Sequence, residues 1–239
     1  MSWLSRAIEE LGAIGLNAWG VAPGREHQAL LPGCRSVVVF GSGGPDLWRA
    51  FVVELAEHPQ HLADEAHPLD AFVRRRVEAL ELPGCRVVRA AGDETTFLDF
   101  RLVALEAGLG WHSKLGLLMH PRFGVWLGLR VAILTTEALE PSGALAGEGP
   151  CGACPEPCRV ACPVDAVGIP FDIRACGRFH HESEQCRATC HSREACPEGS
   201  AQRYPEEAIH YHYHRRSGRR RLAERLGIVD HGTGTGPFW

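Results

Sequence analysis

Eight of the ten cysteines in this 239-residue chain fall at or after position 151, and that crowding limits what the chain can be. A disulfide-stapled protein spreads its cysteines out, and a chain of this length rarely needs staples. The start, Met1-Ser2-Trp3-Leu4-Ser5-Arg6, reads as an amphipathic helix and not as a secretory signal with a long apolar centre. A reducing, cytoplasmic setting is therefore expected, where grouped thiols serve metals more often than disulfides.

The spacing narrows the chemistry. The first run is Cys151-Gly-Ala-Cys154-Pro-Glu-Pro-Cys158-Arg-Val-Ala-Cys162-Pro163. Bacterial-type iron–sulfur ligation uses C-x2-C-x2-C-x3-C-P, in which three thiolates hold one cluster and the fourth reaches another. Here the second gap is one residue longer and the C-x3-C-P ending is intact. The second run, Cys176, Cys186, Cys190 and Cys196-Pro197, repeats the Cys-Pro ending. Crossed ligation of two [4Fe–4S] clusters is the expectation: Cys151, Cys154, Cys158 and Cys196 on one, Cys162, Cys176, Cys186 and Cys190 on the other. Structural zinc, which also accepts four thiolates, and disulfides are the alternatives. Two adjacent clusters make a wire, and a wire needs a redox centre at its end.

The preceding residues are the place to look for it. A hydrophobic fraction of 45% can support a core, and 23% charged residues with no long apolar run exclude a membrane helix and global disorder. A formal charge of −4 argues against a general nucleic-acid binder. Helical spacing covers 2–12, 68–82 and 95–107, and Pro45 opens a further helix through Leu47, Phe51, Val52 and Leu55; strands are expected at 16–21, 36–40, 86–89, 115–119 and 124–135. That alternation predicts an α/β or α+β sandwich over 1–136. A Gly/Ala/Pro linker at 137–149 separates it from the cysteine module, 150–200, and a basic extension follows at 201–239. Cys34 and Cys85, each in a Leu-Pro-Gly-Cys-Arg turn, read as small apolar residues at strand starts. The Gly41-Ser42-Gly43-Gly44 stretch reads as a turn, since the Walker spacing and its lysine are missing.

Between sandwich and linker lie Ala107-Gly-Leu-Gly-Trp111-His112-Ser113-Lys114 and His120-Pro121-Arg122-Phe123-Gly124-Val125-Trp126. With the double cysteine motif, this combination resembles the epoxyqueuosine reductase-like family of cobalamin- and iron–sulfur-dependent reductases, and more broadly cobalamin-processing proteins and reductive dehalogenases. The family pattern is roughly A-G-L-G-W-x-G-K-N, then N-P-R-F-G-S-W. Ser113 and Leu115 depart from it around Lys114. The resemblance implies an α+β fold: a flavin-reductase/nitroreductase-like α/β sandwich holding base-off cobalamin, followed by a ferredoxin-like double-cluster module. It implies a cofactor site among Arg101, Trp111, His112, Lys114, Arg122 and Phe123, with Trp126 as a further wall. Counting back from Trp111 puts Glu94, with Asp93 beside it, where the family carries its catalytic aspartate. It also implies a low-potential electron donor such as ferredoxin or flavodoxin, and a small or nucleoside-like substrate. A non-catalytic electron carrier and a cobalamin-handling protein without a separate substrate are the competing functions.

The extension holds two further features. His210, His212 and His214 share one face if the segment is extended, reading as a solvated strand or a metal-capturing one. The run Arg215-Arg216-Ser217-Gly218-Arg219-Arg220-Arg221 reads as a solvated helix start or a weak RNA contact.

Overall fold

The structure, a computed structural model, describes residues 2–91 and 96–228. Glu94 and Asp93 therefore lie outside the described residues, as does the 229–239 end of the extension.

The sheet is built on β-branched runs. Strand β1 (Ala18–Pro23), β2 (Ser36–Gly43), β3 (Arg86–Arg89) and β6 (Leu127–Thr135) form a four-stranded antiparallel sheet in the order β1-β2-β6-β3. The short strands β4 (Trp111–His112) and β5 (Leu118–Met119) make a separate hairpin. Every residue of β2 is buried, as the continuous Val-Val-Val-Phe run requires of a strand covered on both faces. β2 does not stop at Phe40: the register slips between Phe40 and Gly41 and pairing continues to Gly43 opposite Leu127. Gly43 has a packing reason, because a Cβ there would run into the Phe123 ring.

Helices cover both faces. α1 (Trp3–Ala13), α2 (Asp46–Glu57), α3 (Gln60–Asp64) and α4 (Pro68–Glu78) precede β3, and α5 (Phe100–Glu106) follows it. On one face, Val38, Phe40, Val131 and Ile133 pack with Leu11, Phe51, Leu55 and Phe72. On the other, Val37, Val39, Ala132 and Leu134 pack with Val103, Ala104 and Phe123. α1 opens on Ser2, whose hydroxyl accepts from the Ser5 N–H; α5 opens on Asp99, which accepts from the Arg101 and Leu102 N–H groups. α5 begins at Phe100, later than the sequence pattern suggests, because Asp99 supplies the cap. The fold is mixed α+β.

The cysteine region is made of short helices: α6 (Pro157–Val160), α7 (Ile173–Glu182), α8 (Glu184–Ala188) and α9 (His191–Ala195). It presses on the sheet region where Gly124 and Gly199 meet backbone to backbone, too close for a side chain on either. α10 (Glu206–Tyr213) and α11 (Arg215–Leu226) are the last elements among the described residues. Ala208, Tyr211, Leu222 and Ala223 enter the same core as Phe51 and Phe72, and Arg219 is buried, donating to the Glu65 and Ala66 carbonyls at 2.6 and 2.7 Å. The histidine run is thus helical and not extended; His210 and His214 stack at 4.5 Å, one turn apart. Arg219, drawn inward, presents no charge to a phosphate.

Candidate metal centre

The eight late cysteines collect into two groups. Cys151 sits in a single tight turn at 150–152, Cys158 on α6 and Cys196 at the end of α9. With Cys154 they line one hollow, beside Lys114, Leu115 and Met119. Cys162 follows α6, Cys176 lies on α7, Cys186 on α8, and Cys190 caps α9. These four line a second cavity of about 800 Å³ with Val167, Ile169 and Phe179. Two thiols cross over: Cys162, from the first run, stands with the second group, and Cys196, from the second run, with the first.

Electrostatics follows the same partition. Burial, reinforced by the other thiols of its own group, pushes Cys158 and Cys196 up on one side and Cys176 and Cys186 up on the other. A thiolate crowd in apolar surroundings is unfavourable alone and is stabilised by a bound metal. All ten cysteines are free. Among the described residues, no set of three or more His, Cys, Asp or Glu side chains is gathered as one metal ion requires; four thiolates on one zinc would stand about 3.8 Å apart. An all-sulfur donor set with an apolar lining fits an iron–sulfur cluster.

Lys114 belongs to the first group. Its Nζ donates to the Cys151 carbonyl at 2.9 Å and to Glu156 at 2.6 Å. That pairing holds the Lys114 ammonium above its usual range and the Glu156 carboxyl below its own. Trp111 packs against the buried cluster that contains Cys158 and Cys196, and its indole N–H donates to the Ala146 carbonyl.

A further cavity, about 470 Å³, opens against the second group. The two hollows adjoin, with Arg101, Leu117, Cys190, Arg193 and Tyr213 lining both. Arg193 donates twice to the Val125 carbonyl, at 3.1 and 2.8 Å, and its guanidinium lies over the Trp126 ring at 4.5 Å and the Tyr204 ring at 4.9 Å. Arg130 donates to the Ser42 hydroxyl at 3.0 Å, and Arg101 to the Gly116 carbonyl at 3.0 Å. Burial pushes the Tyr213 phenol up, so it stays protonated. The Trp126 indole N–H is buried with no partner. Guanidinium and phenol donors over an apolar floor suit a large ligand carrying amide or phosphate acceptors.

The residues singled out by sequence therefore separate. Arg101 lines both cavities and His112, exposed, lines the second group's cavity. Lys114 and Trp111 stand with the thiols. Phe123 is buried in the sheet core with Arg122, itself exposed, over its ring at 5.0 Å. Burial and Arg122 depress the neighbouring His120 to about 4; its neutral Nδ1 accepts from the Arg122 and Phe123 N–H groups. Sequence reading missed Arg130, Arg193, Tyr204, Tyr213 and Glu156. Arg193 had one visible signal: it stands between Cys190 and Cys196, one thiol of each group.

Comparison with known proteins follows this geometry. No family model matches the chain. Over 179 residues it is 35% identical to the epoxyqueuosine reductase of Synechococcus sp. (strain CC9605), covering 68% of this chain and 51% of that protein. The chain thus spans about half the length of that curated relative. Its fold is similar to a crystal structure of epoxyqueuosine reductase with a tRNA-Tyr epoxyqueuosine-modified tRNA stem loop: TM-score 0.59, 17% identity, 85% of this chain and 67% of that one. It is also similar in fold to a C. elegans B12-trafficking protein, CblC, with TM-score 0.54, 12% identity, and 94% and 96% coverage. The chain is a relative of the epoxyqueuosine reductases.

Proposed function

We propose that this relative of the epoxyqueuosine reductases is an iron–sulfur oxidoreductase that works with a corrinoid to reduce a small or nucleoside-like substrate. One [4Fe–4S] cluster is held by Cys151, Cys154, Cys158 and Cys196, the other by Cys162, Cys176, Cys186 and Cys190. The observation that carries the reading is the cross-over of Cys162 and Cys196 between groups, which crossed ligation requires and a pair of independent zinc knuckles does not. On this reading residues 1–136 form a nitroreductase-like sandwich, 150–200 a ferredoxin-like module, and 201–239 an extension.

The second group and the 470 Å³ cavity meet at Cys190, so an electron delivered at the second group arrives at the cavity's edge. A corrinoid, when bound there, supplies one-electron redox chemistry at cobalt. Arg101, Arg130 and Arg193 offer guanidinium donors to its amides or phosphate. Tyr204 and Tyr213 line the same cavity, and their rings exclude water from it. Glu94, with Asp93, is the proton source, and Glu94→Gln abolishes substrate turnover while leaving corrinoid binding intact. The relative solved with epoxyqueuosine-modified RNA supports a modified nucleoside as substrate, and the likeness to a B12-trafficking protein supports the corrinoid. The electron donor is a low-potential carrier such as ferredoxin or flavodoxin.

Anaerobic purification and cobalamin titration test this. The expected result is broad absorption near 400 nm, roughly eight iron per chain, and cobalamin that binds and is reduced. Iron without cobalamin binding points to an electron carrier. Cobalamin reduction without turnover of epoxyqueuosine points to a cofactor-handling protein.

A further inference from the structure

Lys114 holds a position that the cofactor cavity does not explain. It sits at the tip of the β4–β5 hairpin, where Ser113 fixes the turn by donating its hydroxyl and its N–H to the Leu117 carbonyl, at 2.8 and 3.2 Å. From that tip its own carbonyl accepts from the Gly168 N–H at 2.9 Å, in the loop after Cys162. Its ammonium reaches the other way, to the Cys151 carbonyl and to Glu156. Glu156 stands between Cys154 and Cys158 with a left-handed backbone, φ 59°. A cation and an anion are thus fixed at the wall of one thiol group, and both line the hollow that its four cysteines share.

We propose that Lys114 and Glu156 set the reduction potential of the cluster held by Cys151, Cys154, Cys158 and Cys196, Lys114 raising it and Glu156 lowering it. This rests on the thiol groups being cluster ligands, as proposed above. The physical reason is charge. Reduction adds one electron to the cluster and makes or breaks no bond, so the product carries one more negative charge. A cation held beside it favours that product and an anion opposes it, and net local charge is one of the levers on such potentials. The two side chains oppose each other, so removing either leaves the other uncompensated. The second group lies in a different cavity, lined by neither residue, and its potential is independent of the pair. The protein can thereby place the two clusters at different potentials although both have four cysteine ligands.

The test is a redox titration of the anaerobically reconstituted full chain, with dithionite supplying electrons through mediators and electron paramagnetic resonance reading each reduced cluster. Wild type shows two one-electron waves with about eight iron per chain. Lys114→Met moves one wave to lower potential and Glu156→Gln moves the same wave to higher potential. Lys114→Arg keeps it near wild type, and the other wave stays in place throughout. The wave that moves is the one altered in Cys158→Ala. Shifts of Lys114→Met and Glu156→Gln in the same direction, equal shifts of both waves, or no shift overturn the proposal. Should Lys114→Met lose iron, the upward shift of Glu156→Gln and its absence still decide. Wild type without iron overturns the ligand reading, and the charge pair's role with it; wild type with eight iron and no shift overturns the pair alone.

Discussion

The sheet region and the cysteine region are held together by different means. In the first, Val37, Val38, Val39, Phe40, Val131, Ala132, Ile133 and Leu134 are all 0% exposed, with helices over both faces. In the second, α7 and α8 bury no residue at all, and from 150 to 200 the buried side chains are Cys158, Ala166, Val167, Ser192 and Cys196. Helices of four, ten, five and five residues are too short to persist alone. The sheet region carries its own hydrophobic driving force. The cysteine region carries thiols in its place, and on the proposed reading the clusters that join those thiols order it.

The largest effect should come from taking the metal away. Chelation of the iron-loaded protein is expected to remove amide-exchange protection from 150–200 while the slow amides of β2 and β6 stay slow. Equal protection in both forms would show that the cysteine region folds without its clusters. Phe51→Ala attacks the other side of the comparison. It opens a hole where Phe51, Phe72, Trp48 and Tyr211 meet, and should cost about 3–5 kcal/mol by denaturant unfolding of the iron-loaded chain, with iron per folded molecule unchanged.

Acid tests the joint between the regions. His120 is depressed to about 4 in the folded protein against about 6.5 unfolded, so folding favours the neutral ring. Its contribution is complete above about 6.5, falls as pH drops toward 4, and levels off below. The loss should be on the order of 2 kcal/mol once solvent screening is allowed for, and His120→Asn should flatten that part of the pH–stability curve. An effect of comparable size is expected from Arg219→Met. It strips the Glu65 and Ala66 carbonyls of their donor and should cost about 1–3 kcal/mol, loosening α11 without touching iron content.

Legibility from sequence followed the same division. The valine run of β2 announced a buried strand because nothing polar interrupts it, yet the continuation through Gly41 and Gly43 stayed hidden. Those glycines are demanded by Phe123 and Leu127 across the sheet, a tertiary reason that no local pattern carries. The cysteine spacing suggests two groups because ligand geometry is itself a short-range code, and the thiols line two hollows. Lys114 was legible only in part, since a lysine in a motif declares its charge but not its partner, and the partner, Glu156, lies 42 positions away. The His/Tyr run misled for another reason: period-two patterning suggests a strand, but Tyr211 is captured by Trp48 and Phe51 at helical spacing. Tyr213 and Arg193 became recognisable as cavity walls only once α9 and α10 were set beside each other.

Iron counting on protein made and kept without oxygen tests the central claim most directly, in wild type and in Cys158→Ala and Cys176→Ala. The account expects about eight iron in wild type and, in each variant, loss confined to one of two clusters. Bound zinc in place of iron, or a colourless chain with the sheet intact, would contradict it.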